Sequence, residues 1–480
     1  MQAARALSTG VDDEAIKRNP ERIVELSTTE KFSWHPAELE EIQLGALQMR
    51  FDTLVNKVPV LGRFAEDQGL REIRSIEDGA LLLFPHTMYK SYPLSAIESE
   101  DFDRMTRWVS TLTAIDLSGV DASGCASIDE WIDLLDARTP LRLRHSSGTT
   151  GKLSFIPASV SETYTAAMGF ARFFQGFGDE PDAHVTGVGE LPIIGFGHRR
   201  GAMAFARMLD SVEHHLYAGD PGMIVTTHPG RLSADMLSLG GRLQNAEARG
   251  ELGKLKLSSR LKNRRASFIK EQAEMPEQLQ AFFDLMSTQF RGRRVILNGV
   301  VPPVAETAVA GIARGLENLF AADSLMFLAG GSKGRKLPDD YPALVERFCG
   351  VRYPRTGFGM SEAASGITRM CPLGRFHIPP NIIAYAIDPL TGAILPRRGA
   401  QTGRFGFIDI AAQLRWGGFL SGDEIRLNYS GGCGCGRRGA FIDGDIRRYS
   451  ELEGGDDKIT CAGAPAVHEN ALKFMSAVVD

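Results

Sequence analysis

The residue types best suited to chemistry in this sequence stand at positions 146–152, where hydroxyl residues and glycines lead to a lysine. Glycines let the backbone turn through positive φ, so several amide N–H groups can point into one concavity. Hydroxyls add short donors and the lysine adds a positive charge, which together suit a polyphosphate. The alternative is a solvated glycine-rich turn. The segment is not a Walker sequence, because Leu153 follows the lysine. Its residues are Ser146, Ser147, Gly148, Thr149, Thr150, Gly151 and Lys152.

A second glycine-rich segment follows a predicted apolar strand at residues 325–328. It contains Gly330, Gly331 and Lys333. A strand that ends in glycines exposes backbone at the carboxyl edge of a sheet, where α/β folds bind ligands. Taken alone, the segment is also typical of a tight strand-to-helix turn.

A third segment, residues 356–362, follows a predicted strand at 351–353. Gly357 and Gly359 free the backbone, and Phe358 offers a flat face for a purine. Ser361 and Glu362 are suited to hold a phosphate-bound Mg²⁺. Two such turns downstream of a phosphate loop favour a nucleotide site over two unrelated turns.

A carboxylate beside a glycine occurs in the sequence Ser-Gly-Asp at residues 421–423. Asp423 is suited to accept two hydrogen bonds from a ribose diol. In isolation the triplet is typical of a hairpin turn, and that interpretation is favoured when no other motif is considered.

Three cysteines and a histidine form a set with the ligand types of zinc. Cys371 precedes His377 by six residues, and Cys433 and Cys435 flank a glycine in a glycine-rich loop. Three thiols and one imidazole suit tetrahedral Zn²⁺, and the predicted ion is structural because no ligand position would remain open. The alternative is four reduced residues that are buried separately.

Length and composition indicate an ordinary soluble protein with more than one core. Of 480 residues, 43% are hydrophobic and 24% are charged. The net charge of -5, with no long basic block, argues against a nucleic-acid partner. We find no signal-peptide pattern and no apolar run of membrane-spanning length, so no membrane partner is expected. Six cysteines do not make a disulfide framework, and a cytoplasmic location is expected.

The elements that must position these residues alternate between strand and helix patterns. Such alternation predicts an α/β sheet with crossover helices. Predicted strands lie at 141–144, 185–188, 192–196, 223–227 and 294–297, and predicted helices at 36–49, 161–175, 201–209, 233–248 and 276–290. We expect a helical part at 1–140, an α/β core with the phosphate loop at 141–376, a β-rich subdomain at 377–453 and a short terminal segment at 454–480.

The order of these motifs resembles that of the adenylate-forming (ANL) superfamily, over roughly residues 140–460. Within it the chain is most similar to the phenylacetate–CoA ligase branch and to the acyl-protein synthetases of bacterial bioluminescence. Residues 330–334 resemble the lysine-bearing Gly-Gly segment of the synthetases, and residues 387–392 and 433–437 fit the ligase branch. The resemblance implies an α/β adenylation-domain fold with a β-rich subdomain and a C-terminal lobe that is largely absent.

The resemblance also implies a reaction and a role for each motif. A carboxylate would attack the α-phosphate of ATP, and a thiol of CoA or of an acyl carrier protein would then capture the acyl group. The catalytic residues would be Lys333, Ser361 and Glu362, with Mg²⁺ on Glu362. The cofactor-binding residues would be 146–152, Gly330, Gly331, Phe358, Gly359, Asp423 and Arg437. Ligase relatives can carry a structural zinc on ligands spaced like Cys371, His377, Cys433 and Cys435.

The C-terminal part departs from the superfamily pattern. Residues 456–460 resemble its hinge, but only about twenty residues follow, too few for the usual lobe. Charge neutralisation would then pass to Lys333 or Lys152, or a partner would supply the missing part. Cys461 is a candidate acyl carrier of the kind that acyl-protein synthetases use, or else a small buried residue.

Several functional alternatives therefore stay open. The expected substrate is a small aryl or medium-chain carboxylic acid, activated by ATP. The alternatives are a synthetase that acylates its own Cys461, an amide-forming ligase, and a non-catalytic nucleotide-binding relative. The assembly is also open, a homodimer included.

Overall fold

The computed structural model describes residues 13–146, 152–174, 189–251, 265–330, 336–353, 357–365 and 368–449. Within them the strands form a six-stranded sheet, a seven-stranded sheet and a two-stranded hairpin. In chain order the strands are β1 (Phe84–Pro85), β2 (Leu141–His145), β3 (Phe155–Ser159), β4 (Ile193–Arg200), β5 (Ile224–Arg231), β6 (Ile296–Val300), β7 (Leu325–Ala329), β8 (Gly357–Phe358), β9 (Thr368–Arg369), β10 (Phe376–His377), β11 (Ile382–Ile387), β12 (Ala400–Asp409), β13 (Gly418–Asn428), β14 (Phe441–Ile442) and β15 (Arg447–Arg448).

Among the described residues, helices make up most of the N-terminal part and also lie between the strands of the six-stranded sheet. They are α1 (Asp13–Arg18), α2 (Thr28–Lys31), α3 (Pro36–Leu54), α4 (Pro59–Asp67), α5 (Ile76–Ala80), α6 (Leu94–Glu98), α7 (Phe102–Ser110), α8 (Ile128–Arg138), α9 (Val160–Phe173), α10 (Ala204–Leu216), α11 (Ala234–Ala248), α12 (Arg265–Thr288), α13 (Val301–Ile312) and α14 (Tyr341–Cys349). None of them is both long and apolar enough to cross a bilayer.

The six-stranded sheet carries the predicted α/β core. Its order is β5-β4-β6-β7-β8-β9, and every neighbouring pair is parallel except β8 with β9. The long strands are apolar on both faces because helices cover both. On one face Met326 packs with side chains of α12, α13 and α14, and on the other Phe327 packs with side chains of α9 and α10. The predicted α/β architecture is confirmed.

The seven-stranded sheet is built around the antiparallel strands β11, β12 and β13. The N-terminal helices share one hydrophobic core with it. Phe51 of α3 lies edge-on to Trp416, with ring centres 6.5 Å apart, and Tyr385 Oη donates to Ile76 O at 2.7 Å. The division at residues 140, 376 and 453 remains a prediction.

Two predicted elements are wrong. Residues 351–353 form no strand, because Gly350 ends α14 with φ +76° and Tyr353 N then donates to the Glu346 carboxylate at 2.7 Å. Residues 421–423 form no hairpin turn, because they lie inside β13, which pairs with β12 on one side and β15 on the other. The predicted strand at 185–188 lies outside the described residues.

The other predicted helices and strands are confirmed, with ends that differ by a few residues in most cases. The signals that define them are local. Helix α9, for example, begins after Ser159, whose side chain accepts a hydrogen bond from Glu162 N.

Candidate functional site

A two-stranded hairpin positions both ends of the predicted phosphate loop. Strands β2 and β3 pair antiparallel, and Ser146 N donates to Ser154 O at 3.2 Å just beyond them. Lys152 Nζ donates to Tyr92 O at 2.7 Å and lies 5.1 Å from the centre of the Tyr92 ring. Partial burial lowers the pKa of Lys152. Residues 147–151 lie outside the described residues, so the loop between these ends stays a prediction.

Glu362 lies within electrostatic range of Lys90, a residue that Lys152 contacts. Lys152 Nζ is 3.4 Å from Lys90 O. Burial raises the pKa of the Glu362 carboxyl, and the positive charges of Lys90, Arg415 and Arg144 oppose that rise. Lys152 thus contacts the main chain of Lys90, and the Lys90 charge acts on the Glu362 carboxyl. No sequence motif indicated Lys90.

A buried ion network anchors the loop that carries Glu362. Arg415, only 1% exposed, donates from Nη2 to Glu362 O at 2.7 Å. Its Nε lies 3.6 Å from the Glu162 carboxylate, which also accepts from Arg144 at 3.1 Å. Because Glu162 belongs to α9 and Arg144 to β2, this network ties the Glu362 loop to the elements that flank the phosphate loop.

Asp409 fixes the same loop from a second direction. Its carboxylate accepts from Ala364 N at 2.6 Å, from Asn381 Nδ2 at 3.1 Å and from Ala411 N at 3.0 Å. No sequence motif indicated Asp409 or Arg415. Asp409 stands in an apolar run and Arg415 stands between Leu414 and Trp416, and a buried charge requires partners.

The two glycine segments meet at the carboxyl edge of the six-stranded sheet. Gly330 follows β7 with φ +70°, and Ala329 pairs with Gly357 of β8. A Cβ on Gly357 would lie 2.5 Å from the Phe327 ring, so only glycine fits there. The half-buried Phe358 ring lies 5.7 Å from the Phe405 ring. The structure therefore brings Gly330 to the same sheet edge as Phe358 and Gly359, and their role in adenine binding stays a prediction.

Asp423 lies on the neighbouring β-rich sheet. It is 7% exposed, and its Oδ1 is 3.4 Å from Arg448 Nε. Asp423 N donates to Ser421 Oγ at 3.1 Å. Phe405 links this strand to the purine-facing candidate Phe358, because Phe405 belongs to β12, the partner of β13. A role in ribose binding stays a prediction.

The predicted zinc ligands form one compact cluster. Their ligand atoms all lie within 4.8 Å of one another. Cys371 Sγ is 3.7 Å from Cys433 Sγ, and Cys435 Sγ is 3.2 Å from His377 Nε2. Tetrahedral zinc with Zn–S distances of about 2.3 Å separates two sulfurs by about 3.8 Å and a sulfur from a nitrogen by about 3.5 Å. The residues present therefore fit the ion, although its binding stays a prediction.

Charges around the cluster set the protonation of its members. Burial lowers the pKa of His377 to about 4, with Arg437 and Arg375 adding to the effect, so the imidazole is neutral and its lone pair is available. Burial alone would raise the pKa of Cys433, but hydrogen bonds from Arg375 and the neighbouring thiols lower it. Burial raises the pKa of Cys435 to about 11.

Arg437, a predicted nucleotide contact, lies in the loop of the cysteine cluster. Its guanidinium stands 5.3 Å from the centre of the Phe32 ring. The remaining predicted residues lie outside the described residues: Ser147, Gly148, Thr149, Thr150, Gly151, Gly331, Lys333 and Cys461. Ser361 is described and half-buried beside Glu362.

Comparison with known proteins is informative at the level of fold. No protein-family model matches the sequence, and no curated protein matches it. Among solved structures, an open conformation of 2-hydroxyisobutyryl-CoA ligase with 2-HIB-AMP and CoA matches with a TM-score of 0.50 at 12% identity, covering 87% of this chain and 76% of that chain. The same ligase in its postadenylation state with R3-HIB-AMP matches with a TM-score of 0.51 at 13% identity, covering 87% of this chain and 69% of that chain.

Both neighbours are structures of one acyl-CoA ligase. The predicted α/β adenylation-domain fold is confirmed by a comparison that does not depend on the motifs. The chain therefore has the fold of that ligase.

Proposed function

We propose that this protein is an ATP- and Mg²⁺-dependent ligase that joins a small aryl or medium-chain carboxylic acid to a thiol. The observation that carries the proposal is the buried Arg415 network, which joins the Glu362 loop to the elements that flank the phosphate loop, in a chain with the adenylation-domain fold. In that fold, a lysine at the end of a phosphate loop and a carboxylate across from it suit the two ends of an ATP polyphosphate.

The first half-reaction is the attack of a substrate carboxylate oxygen on the α-phosphorus, with pyrophosphate as the leaving group. Lys152 and the 146–151 loop bind the β- and γ-phosphates, Asp423 accepts from the ribose diol and Phe358 stacks on adenine. Glu362 would hold Mg²⁺, which would supply positive charge to neutralise the phosphates. The protein contributes mainly position and charge in this half, so the buried Arg415 network keeps Glu362 in place.

The second half-reaction transfers the acyl group to sulfur. The thiolate attacks the acyl carbonyl, and AMP leaves with the electrons of the acyl–phosphate bond. The neighbouring ligase was crystallised with an acyl-adenylate and CoA. This supports CoA as the acceptor here, with an acyl carrier protein as the alternative.

We also propose that the cysteine–histidine cluster binds one structural zinc. The neutral imidazole and the sulfur spacing described above support it, and four protein ligands leave no open position for chemistry. We expect one zinc per chain by atomic emission, lost in Cys433→Ser and retained in Cys125→Ser, a cysteine buried in a separate core. A wild-type protein without zinc after purification in metal-replete buffer would contradict the assignment.

A reducing compartment such as the cytoplasm fits the thiols. All five cysteines of the described residues are free, and four of them are buried. Disulfides would be expected in an oxidising compartment.

Pyrophosphate release against a panel of aryl and aliphatic acids, with and without CoA, tests the reaction. We expect release that depends on one class of acid and falls by about 10²–10³-fold in Glu362→Gln, because a carboxylate ligand becomes a neutral amide. Glu317→Gln, which removes only a surface partner of Arg347, is the matched control.

The same experiment separates the alternatives. Absence of release with every acid, despite ATP binding, would favour a non-catalytic nucleotide-binding protein. Release without CoA that leaves acyl label on the chain, abolished by Cys461→Ser, would identify a self-acylating synthetase. Release that requires an amine would identify an amide-forming ligase.

A further inference from the structure

The side-chain amide of Asn298 is completely buried, yet neither its nitrogen nor its oxygen has a hydrogen-bond partner among the described residues. Asn298 lies in the middle of β6, the strand between β4 and β7. Buried amides are nearly always hydrogen-bonded, because burial without a partner is destabilising. Asn381, which is 2% exposed and donates to Asp409 at 3.1 Å, follows that rule. Asn298 does not, and its exception requires a reason.

The neighbouring strands are unable to satisfy this amide. The parallel register places Gly195 of β4 on one side of Asn298 and Phe327 of β7 on the other. A Cβ on Gly195 would lie 2.9 Å from Thr226 Cγ2, so a methyl group already occupies that space. A methyl group and an aromatic ring offer no hydrogen bond. The sheet therefore surrounds the Asn298 amide with apolar groups on both sides.

Asn298 lies on the side of the sheet that faces helix α9. Its side chain shares a face with Ile296, two residues earlier, which packs in the core formed with α9 and α10. It is two residues from the end of β6, close to the carboxyl edge where α/β sheets bind ligands. Phe173 of α9 packs against Phe327 on this face, with ring centres 4.3 Å apart.

Helix α9 also connects this region to the loop that carries Glu362. A Cβ on Gly169 would lie 2.8 Å from Ser365 Cβ, three residues after Glu362. Ser365 Oγ is a second buried polar atom without a partner among the described residues. Gly169 and Phe173 are four residues apart on the helix, which is about 6 Å along its axis. Helix α9 therefore lies against both the Glu362 loop and the face of the sheet that carries Asn298.

We propose that Asn298 recognises a hydrogen-bonding substituent at the end of the substrate acid distant from its carboxylate. The inference rests on the proposed function and narrows its substrate class to short acids that carry a hydroxyl or carbonyl at the end distant from the carboxylate, as in a para-substituted aromatic acid. The carboxylate lies by the Glu362 loop, the body of the acid lies against Phe173 and Phe327, and the substituent pairs with the amide. Phe173 and Phe327 are buried, with 8% and 6% exposure.

The test compares two matched acids, benzoate and 4-hydroxybenzoate, on the full chain. Dissociation constants are measured by calorimetry without ATP, and kcat/KM is measured by pyrophosphate release. We expect the wild type to prefer 4-hydroxybenzoate by about 10- to 100-fold in both, because the unsubstituted acid leaves the amide unpaired. The preference should be smaller for 2-hydroxybenzoate, whose hydroxyl lies beside the carboxylate.

Asn298→Leu provides the variant, since leucine has a similar volume and no polar atoms. We expect it to abolish the preference, to leave benzoate binding within about threefold of wild type, and to melt no lower than wild type because an unpaired group is removed. Asn381→Leu is the matched control. It should melt lower than wild type, because it deprives Asp409 of a donor.

Each contrary result has a distinct meaning. Equal binding of the two acids by the wild type, or a preference that survives Asn298→Leu, would overturn the inference and leave the adenylation reaction intact. A large fall in melting temperature in Asn298→Leu would also overturn it, since the amide would then be satisfied within the fold. Preferential binding without pyrophosphate release would uphold Asn298 and refute the proposed function.

Discussion

The Lys152 ammonium donates to the main-chain oxygens of Tyr92 and Lys90, which are neutral acceptors. A phosphate is a stronger acceptor for an ammonium group than a neutral carbonyl, because the hydrogen bond is then charge-assisted on both sides. At the scale of single residues, this lysine is therefore positioned by hydrogen bonds that ATP can replace.

We predict that Lys152→Met raises the KM for ATP by about 10- to 100-fold, because it removes a charged hydrogen bond to phosphate. The melting temperature should change little, since the partners of the ammonium among the described residues are neutral, namely two main-chain oxygens and the Tyr92 ring. Pyrophosphate release at varied ATP measures the effect. Lys270→Met, at an exposed residue paired with Glu274, is the control, and an unchanged KM in Lys152→Met would remove Lys152 from the site.

Arg415 holds the Glu362 loop in place by donating a hydrogen bond to the main-chain oxygen of Glu362. Replacing it with methionine removes the donor to Glu362 O and one of the two cations beside Glu162. Because breaking a buried ion pair leaves an undercompensated charge, we predict a loss of about 3 kcal/mol in the free energy of unfolding, measured in urea.

Arg347→Met is the control for that measurement. Its pair with Glu317 is on the surface, where such pairs contribute about 0–1 kcal/mol. Equal losses of unfolding free energy in the two variants would contradict the role of Arg415 as an anchor of the Glu362 loop.

At the scale of elements, helices α8 and α11 begin against each other and cap each other's N-termini. Asp235 of α11 accepts from Ile128 N at 2.8 Å and from Asp129 N at 3.1 Å. In return Asp129 accepts from Ala234 N at 3.1 Å and from Ser233 Oγ at 2.6 Å. Two buried carboxylates are thus brought side by side, and burial together with the Asp129 charge raises the pKa of Asp235 to about 7.

We predict that the contribution of Asp235 to stability is full below about pH 4, falls between about pH 4 and 7, and is lost above pH 7. The sign follows because the folded state holds its proton on Asp235 to a higher pH than the unfolded chain does. The free energy of unfolding should therefore fall by up to about 3 kcal/mol over that range on account of Asp235. In Asp235→Asn this fall should be absent from the pH profile of urea unfolding, and its persistence would assign the effect to another group.

The loop of the cysteine cluster is also an element-scale contact, because it docks on the segment between α2 and α3. Arg438 N donates to Phe32 O at 3.0 Å, and Arg438 Nη1 donates to Ser33 O at 3.1 Å. The Phe32 ring lies edge-on to His377, with ring centres 5.7 Å apart. Metal on His377 would thus stabilise a contact with residues far away in the sequence.

Removing the zinc with a chelator should therefore increase hydrogen exchange and proteolysis around residues 27–35, because their docking surface loses its crosslink. Exchange in β6 and β7, which pack in a different core, provides the internal control. Zinc loss without any change at residues 27–35 would show that the loop keeps its shape without metal.

At the scale of the whole molecule, sequence patterns predict the fold class and most helices and strands, because apolar periodicity and glycine turns are local signals. They also predict the clustering of Cys371, His377, Cys433 and Cys435, since ligand chemistry restricts the partners of cysteine and histidine. They fail where tertiary contacts decide the outcome. Asp423 lies in a strand because β12 and β15 pair with β13 on its two sides. The roles of Arg415 and Asn298 depend on contacts with residues distant in the chain.

The core that joins the N-terminal helices to the β-rich sheet has a consequence for how the protein is made. Gln43 Nε2 donates to Pro380 O at 2.8 Å, and Trp416 Nε1 donates to Leu82 O at 2.8 Å, across separations of 337 and 334 residues. At roughly 5–20 residues per second of translation, α3 waits roughly 20–60 s on the ribosome before its partner strands exist. During that interval the apolar side chains of Leu47, Phe51 and Leu54 lack the partners that the β-rich sheet provides in the folded protein. Expression of this protein should therefore depend on chaperones that bind nascent chains, more than on the stability of the finished fold.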